Sequence, residues 1–323
     1  MDNYRDYFTR EELVRALAAA PYTPGALGAM GIFETVPLSG TTFAVEVETK
    51  DSGRILTGYP RGAPRQQTTL DKRVVHTFGV STTYGDQGNI MADEVLNGRG
   101  AGVAGARALI ENRRAKLVSK LRRTIDLTHE SLRLGCLLSP ASTEFGAAAD
   151  AVAIAVQTDA TKLRQEIFNK IILPMEAEMD GLPYGNPVVL CSDGYWSDLI
   201  EAKSIRDTYL NYQAAAELRG AVVEEFVFGG VTWRRYRGTG AVKIPANEAR
   251  AVPTGVPDTF WQLFAPNDTV ESVGAGALGQ PYYMGSSELK DSQGVKGWEV
   301  SIASHPRVLC GRPKLIRPIV KTV

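Results

Sequence analysis

The chain has 323 residues, of which 44% are hydrophobic and 22% charged, an ordinary globular composition that excludes wholesale disorder and a fibrous repeat. That length accommodates one large domain or two to three smaller ones. Lys plus Arg (36) equals Asp plus Glu (36), so no global positive field draws in nucleic acid or an anionic membrane, and any DNA contact has to be local and weak.

The N-terminal MDNYRDYFTREELVRAL mixes charges into its apolar residues and lacks the apolar core of a signal peptide. No uninterrupted apolar run approaches the ~18 residues that would span a bilayer. The expectation is a protein that stays in the cytoplasm of the cell that makes it. Residues 9–20 read as a short helix, with Thr9 as N-cap, Glu12 three residues on, and Leu13, Val14 and Leu17 sharing a face. Pro21 and Pro24 end it. The next stretch, PYTPGALGAMGIFETVP, is rich in Pro and Gly yet carries Tyr22, Leu27, Met30, Ile32 and Phe33. It is too apolar for a free linker and reads as an arm that needs a surface to lie on.

Residues 41–48, TTFAVEVE, alternate with period two, placing Phe43, Val45 and Val47 on one face of a half-exposed strand. KDSGR supplies a turn, residues 54–59 a returning strand, and residues 74–80 another apolar, strand-like stretch. Together, residues 41–80 predict a long hairpin projecting from a body. The strongest helix signal covers residues 101–134, where Leu109, Ile110, Leu117, Val118, Leu121, Ile125 and Leu132 recur at three- and four-residue spacing. Its other face carries Arg107, Arg113, Arg114, Lys116, Lys120, Arg122, Arg123 and Arg133 against Glu111, Asp126 and Glu130. A solvated helix face is the plain reading; the sharper one is an inner surface facing a polyanion.

A strand at residues 152–156 and a helix at 161–180, closed by Gly181, follow. Pro187 opens the strand PVVLCS, whose continuous apolar run predicts burial on both faces, and Asp193 is a candidate N-cap for the next helix. VEEFVFGGVTWRRYRG reads as a hairpin about Gly229 and Gly230. A last strand at residues 298–303 leads into an extended tail punctuated by prolines. The class is α+β, with a long hairpin and a long helix set early.

Chemistry-bearing motifs are sparse. G-x-G-x-x-G occurs literally at Gly100, Gly102, Gly105 and at Gly274, Gly276, Gly279, but neither has the preceding buried strand and following helix that a dinucleotide site requires. His76, His129 and His305 are isolated, and Glu176, Glu178 and Asp180 cluster at a helix end, where solvated charge is the usual outcome. Cys136, Cys191 and Cys310 are far apart and odd in number, implying neither a disulfide framework nor a zinc site. No enzyme, cofactor or metal is expected.

The arm PYTPGALGAMGIFETVPLSGTTFAVE, the PRGAP segment, NIMADEVLNGRG leading into the long helix, FGGVTWRRYRG, AVKIPANEARAVPTGVPDTFWQLFAPND and the final SHPRVLCGRP resemble, in that order, the major capsid proteins of lambda-like tailed phages, the phage major capsid protein E family. The resemblance implies the tailed-phage capsid fold of the Hong Kong 97 type. It would divide the chain into an arm at residues 1–40, an extended loop at 41–80, a peripheral domain at 81–186 with its spine helix at 101–134, an axial domain at 187–283 and C-terminal strands at 284–323 returning to the body. It implies a non-enzymatic head protein of the virion, assembled in the host cytoplasm into pentamers and hexamers of an icosahedral shell. Its partners would be copies of itself, portal, scaffold, a decoration protein and packaged double-stranded DNA, with no membrane. Phe43, Val45, Val47, Trp233 and Tyr236 become candidate inter-subunit contacts, and Arg113, Arg114, Lys120 and Arg123 candidate genome-facing residues. Some shells of this fold weld subunits through a Lys–Asn isopeptide bond; Lys50 and Lys72 lie in or near the proposed loop, and solvent-exposed loop lysines are the plain reading. A bacterial nanocompartment shell of the same fold is one alternative, and a nucleotide-binding oxidoreductase a more distant one.

Overall fold

The computed structural model describes residues 7–20, 25–48, 73–96, 103–142, 145–156, 159–179, 181, 183–203, 205, 224–238, 240–272, 276–292 and 294–321. Helix α1 (Arg10–Ala19) begins where the Thr9 hydroxyl accepts a hydrogen bond from the Glu12 N–H. Leu13 and Leu17 are buried, whereas Val14 is half exposed. The apolar arm is laid down as α2 (Ala26–Met30) and β1 (Glu34–Pro37). Strand β2 (Thr42–Glu48) pairs antiparallel with β3 (Arg73–Gly79), Phe43 opposite Phe78 and Val45 opposite His76. The expected turn KDSGR and strand at 54–59 lie outside the described residues.

Strand β4 (Tyr84–Met91) runs into α3 (Ala92–Leu96), followed by α4 (Val103–Leu138), 36 residues and therefore about 54 Å long. After β5 (Val152–Ile154), α5 (Ala160–Ile167) passes through a π-helical turn, Phe168–Ile172, into α6 (Leu173–Met179). Leu163, Ile167, Ile171, Met175 and Met179 are all buried, at a strict spacing of four. In an ideal α-helix that stripe would drift by about 160° around the axis; the extra residue per turn of the π segment swings it back over the sheet.

Strand β6 (Gly185–Cys191) leads into α7 (Asp193–Glu201). Ser192, rather than the expected Asp193, is the N-cap, its hydroxyl accepting from the Tyr195 N–H, and Asp193 sits in the first turn. Strands β7 (Glu225–Phe228) and β8 (Val231–Arg235) turn tightly on Gly229 and Gly230, both at positive φ (67° and 81°), the geometry of a two-residue type I′ hairpin. The remaining strands are β9 (Glu248–Thr254), β10 (Phe260–Phe264), β11 (Tyr283–Asp291), β12 (Gly294–Ser304), β13 (Pro306–Cys310) and β14 (Arg317–Lys321).

Among the described residues the strands form a mixed six-stranded sheet (β5-β14-β9-β6-β8-β7), two three-stranded sheets (β1-β10-β13 and β11-β12-β4) and the β2-β3 ribbon. The six-stranded sheet is covered on both faces, which accounts for the continuous apolar run of β6. Val189 and Cys191 enter the core beneath α5, α6 and α7, while Val188 and Leu190 enter a second core with α2, Tyr236 and the end of α4. Helices α1 and α4 cover β11-β12-β4, burying Leu13, Val118, Leu121, Ile125 and Val300, and Phe8 stacks on Trp298 at 4.6 Å. The sheets draw strands from several of the expected segments: β10, from within 187–283, pairs with β1 and β13, and β14 from the tail joins the six-stranded sheet.

Each literal G-x-G-x-x-G match is described only in part. Gly105 lies inside α4, with its two companions outside the described residues. Gly279 donates its N–H to the Leu38 carbonyl at 2.8 Å, and a Cβ there would stand 1.9 Å from the Phe264 carbonyl oxygen. Its missing side chain lets a returning loop lie directly across the end of β10. Gly279→Ala should therefore cost about 3 kcal/mol in urea unfolding. Gly276→Ala, at φ +59° with open space around it, should cost about 1 kcal/mol; equal losses would refute the close-approach account.

Candidate assembly surfaces

A buried carboxylate fastens α2 of the arm to the body. Glu130, on α4 and only 4% exposed, accepts from the Leu27 N–H at 2.8 Å, the Gly28 N–H at 3.3 Å and the Tyr236 hydroxyl at 3.1 Å. Arg133 lies 3.6 Å away on the same helix and donates to Gln262 at 2.8 Å. Opposite Gly25 there is no room for a side chain, because a Cβ would meet the Glu130 carboxyl carbon at 2.1 Å. Burial and the adjacent carboxylate push the Tyr236 hydroxyl well above the usual phenol range, so it stays a donor. The charge count alone treats Glu130 as one more solvated acid. Its role follows from the arm folding back on α4, which helical periodicity does not report.

The basic side of α4 divides in two. Arg114 donates to the Tyr7 carbonyl and lies 3.6 Å from Glu12. Arg122 caps the end of α1 through the Leu17 and Ala20 carbonyls at 2.7 and 2.6 Å, where the helix dipole favours a cation. These guanidiniums fasten α1 to α4, so Arg114, expected to face a polyanion, is a partly buried structural group. Arg113 is exposed and 3.0 Å from Glu94. Lys116, Lys120 and Arg123 are exposed, and their spacing continues Arg113 along one ridge opposite the buried face.

The β2-β3 ribbon turns Phe43 and Val45 toward its own chain, where they pack on a core containing Phe78, Trp261 and Leu263; Phe43 meets Trp261 edge to face at 6.2 Å. The side chain of Val47, like Lys50 and Lys72, lies outside the described residues. On the ribbon's opposite face Val75 is 55% exposed. Trp233 and Tyr236, expected at contacts, are interior. Trp233 is 1% exposed with its indole N–H donated to Phe228 O at 3.1 Å, and Tyr236 is 3% exposed. Aromatic residues alternating in a hairpin flag burial, and here the burying surface belongs to the same chain.

The isolated histidines have structural partners. His129 bonds Ser304 at 2.9 Å between the rings of Phe264 and Tyr282; His305 bonds Thr83 at 3.0 Å and Asn267 at 3.3 Å. Among the described residues no group of three His, Cys, Asp or Glu is placed to hold a metal ion, and no helix is long and apolar enough to cross a membrane. Cys136 and Cys310, remote in sequence, are neighbours: both line a cleft of about 350 Å³ between the base of the ribbon, the end of α4 and β13.

The sequence profile described as phage major capsid protein E matches residues 9–320. No curated protein sequence matches the chain. In structure the chain is similar to the putative capsid protein of a prophage of E. coli CFT073, with a TM-score of 0.59, 14% identity and coverage of 98% of this chain and 99% of that one. It is also similar to the capsid of cyanophage P-SCSP1u (TM-score 0.55, 10% identity, 94% and 90% covered) and to the mature capsid of bacteriophage PhiM1 (0.54, 12%, 94% and 89%). These likenesses establish the expected capsid fold.

Two outcomes follow from the buried groups. Removing the Glu130 carboxylate in Glu130→Ala leaves the α2 amides and the Tyr236 hydroxyl without an acceptor; a loss of about 3 kcal/mol and faster amide exchange at Leu27 and Gly28 are expected. Unchanged exchange there would remove the clamp. For His129, burial and then the Arg133 charge lower the pKa from 6.5 to about 4. Below pH 6.5 the unfolded chain takes up a proton that the folded chain refuses, so stability falls as pH drops from 6.5 to 4. The loss from this group is about 3 kcal/mol, and it contributes nothing above that window. His129→Gln should flatten the urea-midpoint profile across this range.

Proposed function

The chain belongs to the phage major capsid protein E family and is a shell-forming capsid subunit of the virion, and from that premise we propose that its copies close into pentamers and hexamers tiling an icosahedral head around packaged double-stranded DNA. The observation that carries this reading is the continuous family match over residues 9–320. In this reading residues 1–40 are the arm, 41–80 the extended loop, 81–186 a peripheral domain on the α4 spine, 187–283 the axial domain and 284–323 the tail strands. Assembly takes place in the host cytoplasm on a scaffold, about a portal, with a decoration protein as a further partner.

The residues offered to neighbours differ from those used at home. Phe43 and Val45 anchor the base of the ribbon, and its outer face, marked by Val75, is available to the next subunit. Trp233 and Tyr236 shape the axial region from inside. Lys116, Lys120 and Arg123 form the ridge that faces the genome, with Arg113 beside them; contact there is weak and salt-dependent because so few charges take part.

The first test is sedimentation of the expressed protein, with and without its scaffold, and negative-stain microscopy of the fast fraction. Even 60 copies of 35.0 kDa give roughly 2.1 MDa. Megadalton shells or rings of five and six are expected; a small closed oligomer under every assembly condition would sink the proposal. Val75→Asp should leave a folded subunit, because the side chain is already exposed, yet stop shell formation. Normal shells from that variant would take the outer ribbon face out of the assembly.

A further inference from the structure

Cys136 lies in the last turns of α4 and Cys310 ends β13, and these two elements pack against each other. Both side chains join the one cluster that also holds Leu134, Leu137 and Ile316. Both also line the cleft, whose other walls include Gly79 at the base of the ribbon, Ser139 and Phe145. Cys136 is partly exposed, so a small reagent has a path to it. Cys191, by contrast, is completely buried in the core beneath α7. The neighbouring Cys310 thiol and burial hold the Cys136 sulfur above the usual thiol range, so the attacking thiolate is scarce and exchange at this sulfur is slow.

We propose that Cys136 and Cys310 are a redox pair, joined into an intrachain disulfide by a low-molecular-weight disulfide of the glutathione type that enters through the cleft. Cys136 gives its proton to solvent and attacks one sulfur of the small disulfide, expelling one small thiolate. Cys310 then gives up its proton and attacks the Cys136 sulfur of the mixed disulfide, expelling the second. Two protein thiols are oxidised, one small disulfide is reduced to two thiols, and nothing else is consumed. The new bond ties the end of α4 to β13 beside the base of the ribbon. The timing rests on the shell reading: the pair stays reduced in the cytoplasm where subunits assemble and closes once particles reach an oxidising medium.

The test is made on the soluble, native subunit, so that it does not depend on assembly. After incubation with excess oxidised glutathione and acid quenching, thiols are counted under denaturing conditions and peptides mapped by mass spectrometry. The chain's three thiols should fall to one, with Cys136 linked to Cys310 and both restored by dithiothreitol. Cys191→Ser should still form the bond, and Cys310→Ser should stop at a glutathione adduct on Cys136. Three thiols retained, or a wild-type adduct on Cys136 that persists beside a free Cys310, overturns the proposal and leaves the shell reading untouched.

Discussion

A carboxylate removed from water has to be met by donors, and the arm, the long helix and the six-stranded region come together where Glu130 meets that requirement. Two amides of α2 and the Tyr236 hydroxyl converge on it from segments about a hundred residues away on either side. Each partner is itself buried or partly buried, so none can exchange Glu130 for water without cost. Because the bonds are directional, they fix where α2 lies along α4, something the apolar contacts of Leu27 and Phe33 do not do. From that point β1 is delivered parallel to β10, Glu34 opposite Trp261, and the chain is set to enter the ribbon.

The long helix illustrates how a sequence pattern can be right in kind and incomplete in use. Its apolar residues bury as their period requires, against β11-β12-β4 and α1. Its cations serve two ends: Arg114, Arg122 and Arg133 fasten neighbouring elements of the same chain, whereas Lys116, Lys120 and Arg123 remain in solvent. Counting charges cannot separate the groups, since an Arg whose stem lies along a helix and whose head caps a carbonyl looks the same in sequence as one in water.

Legibility followed the range of the interaction. Elements set by local periodicity or by a turn residue, such as α4, β6 and the Gly229–Gly230 hairpin, could be read directly, and so could the arm's need for a surface. What could not be read depends on which distant surface arrives. Phe43 and Val45 sit on one face as alternation requires, but that their face meets Trp261 is a tertiary fact. Trp233 and Tyr236 announce burial without saying whether one chain or two provides it. The Cys136–Cys310 approach, across 174 positions of sequence, leaves no local trace, and the π turn is visible only once the four-residue spacing of Leu163 to Met179 is measured against a flat sheet.

The same distinction bears on assembly. A subunit that left its whole arm and ribbon unpacked would expose apolar surface at about 25 cal/mol per Å² and would aggregate before it could dock in register. This chain instead secures the arm through Glu130 and the ribbon base through Phe43, Val45 and Phe78, so its cores are closed before any neighbour is present. In the proposed assembly the surface left for partners includes, among the described residues, the outer ribbon face with Val75 and the ridge of α4. Contacts built on such residual surface are individually weak, and with Lys plus Arg balanced by Asp plus Glu no net repulsion opposes them. Weak contacts that can break and re-form let an error in a growing shell be corrected, whereas strong ones would trap it, so the internal closure of each subunit is itself a condition for ordered assembly.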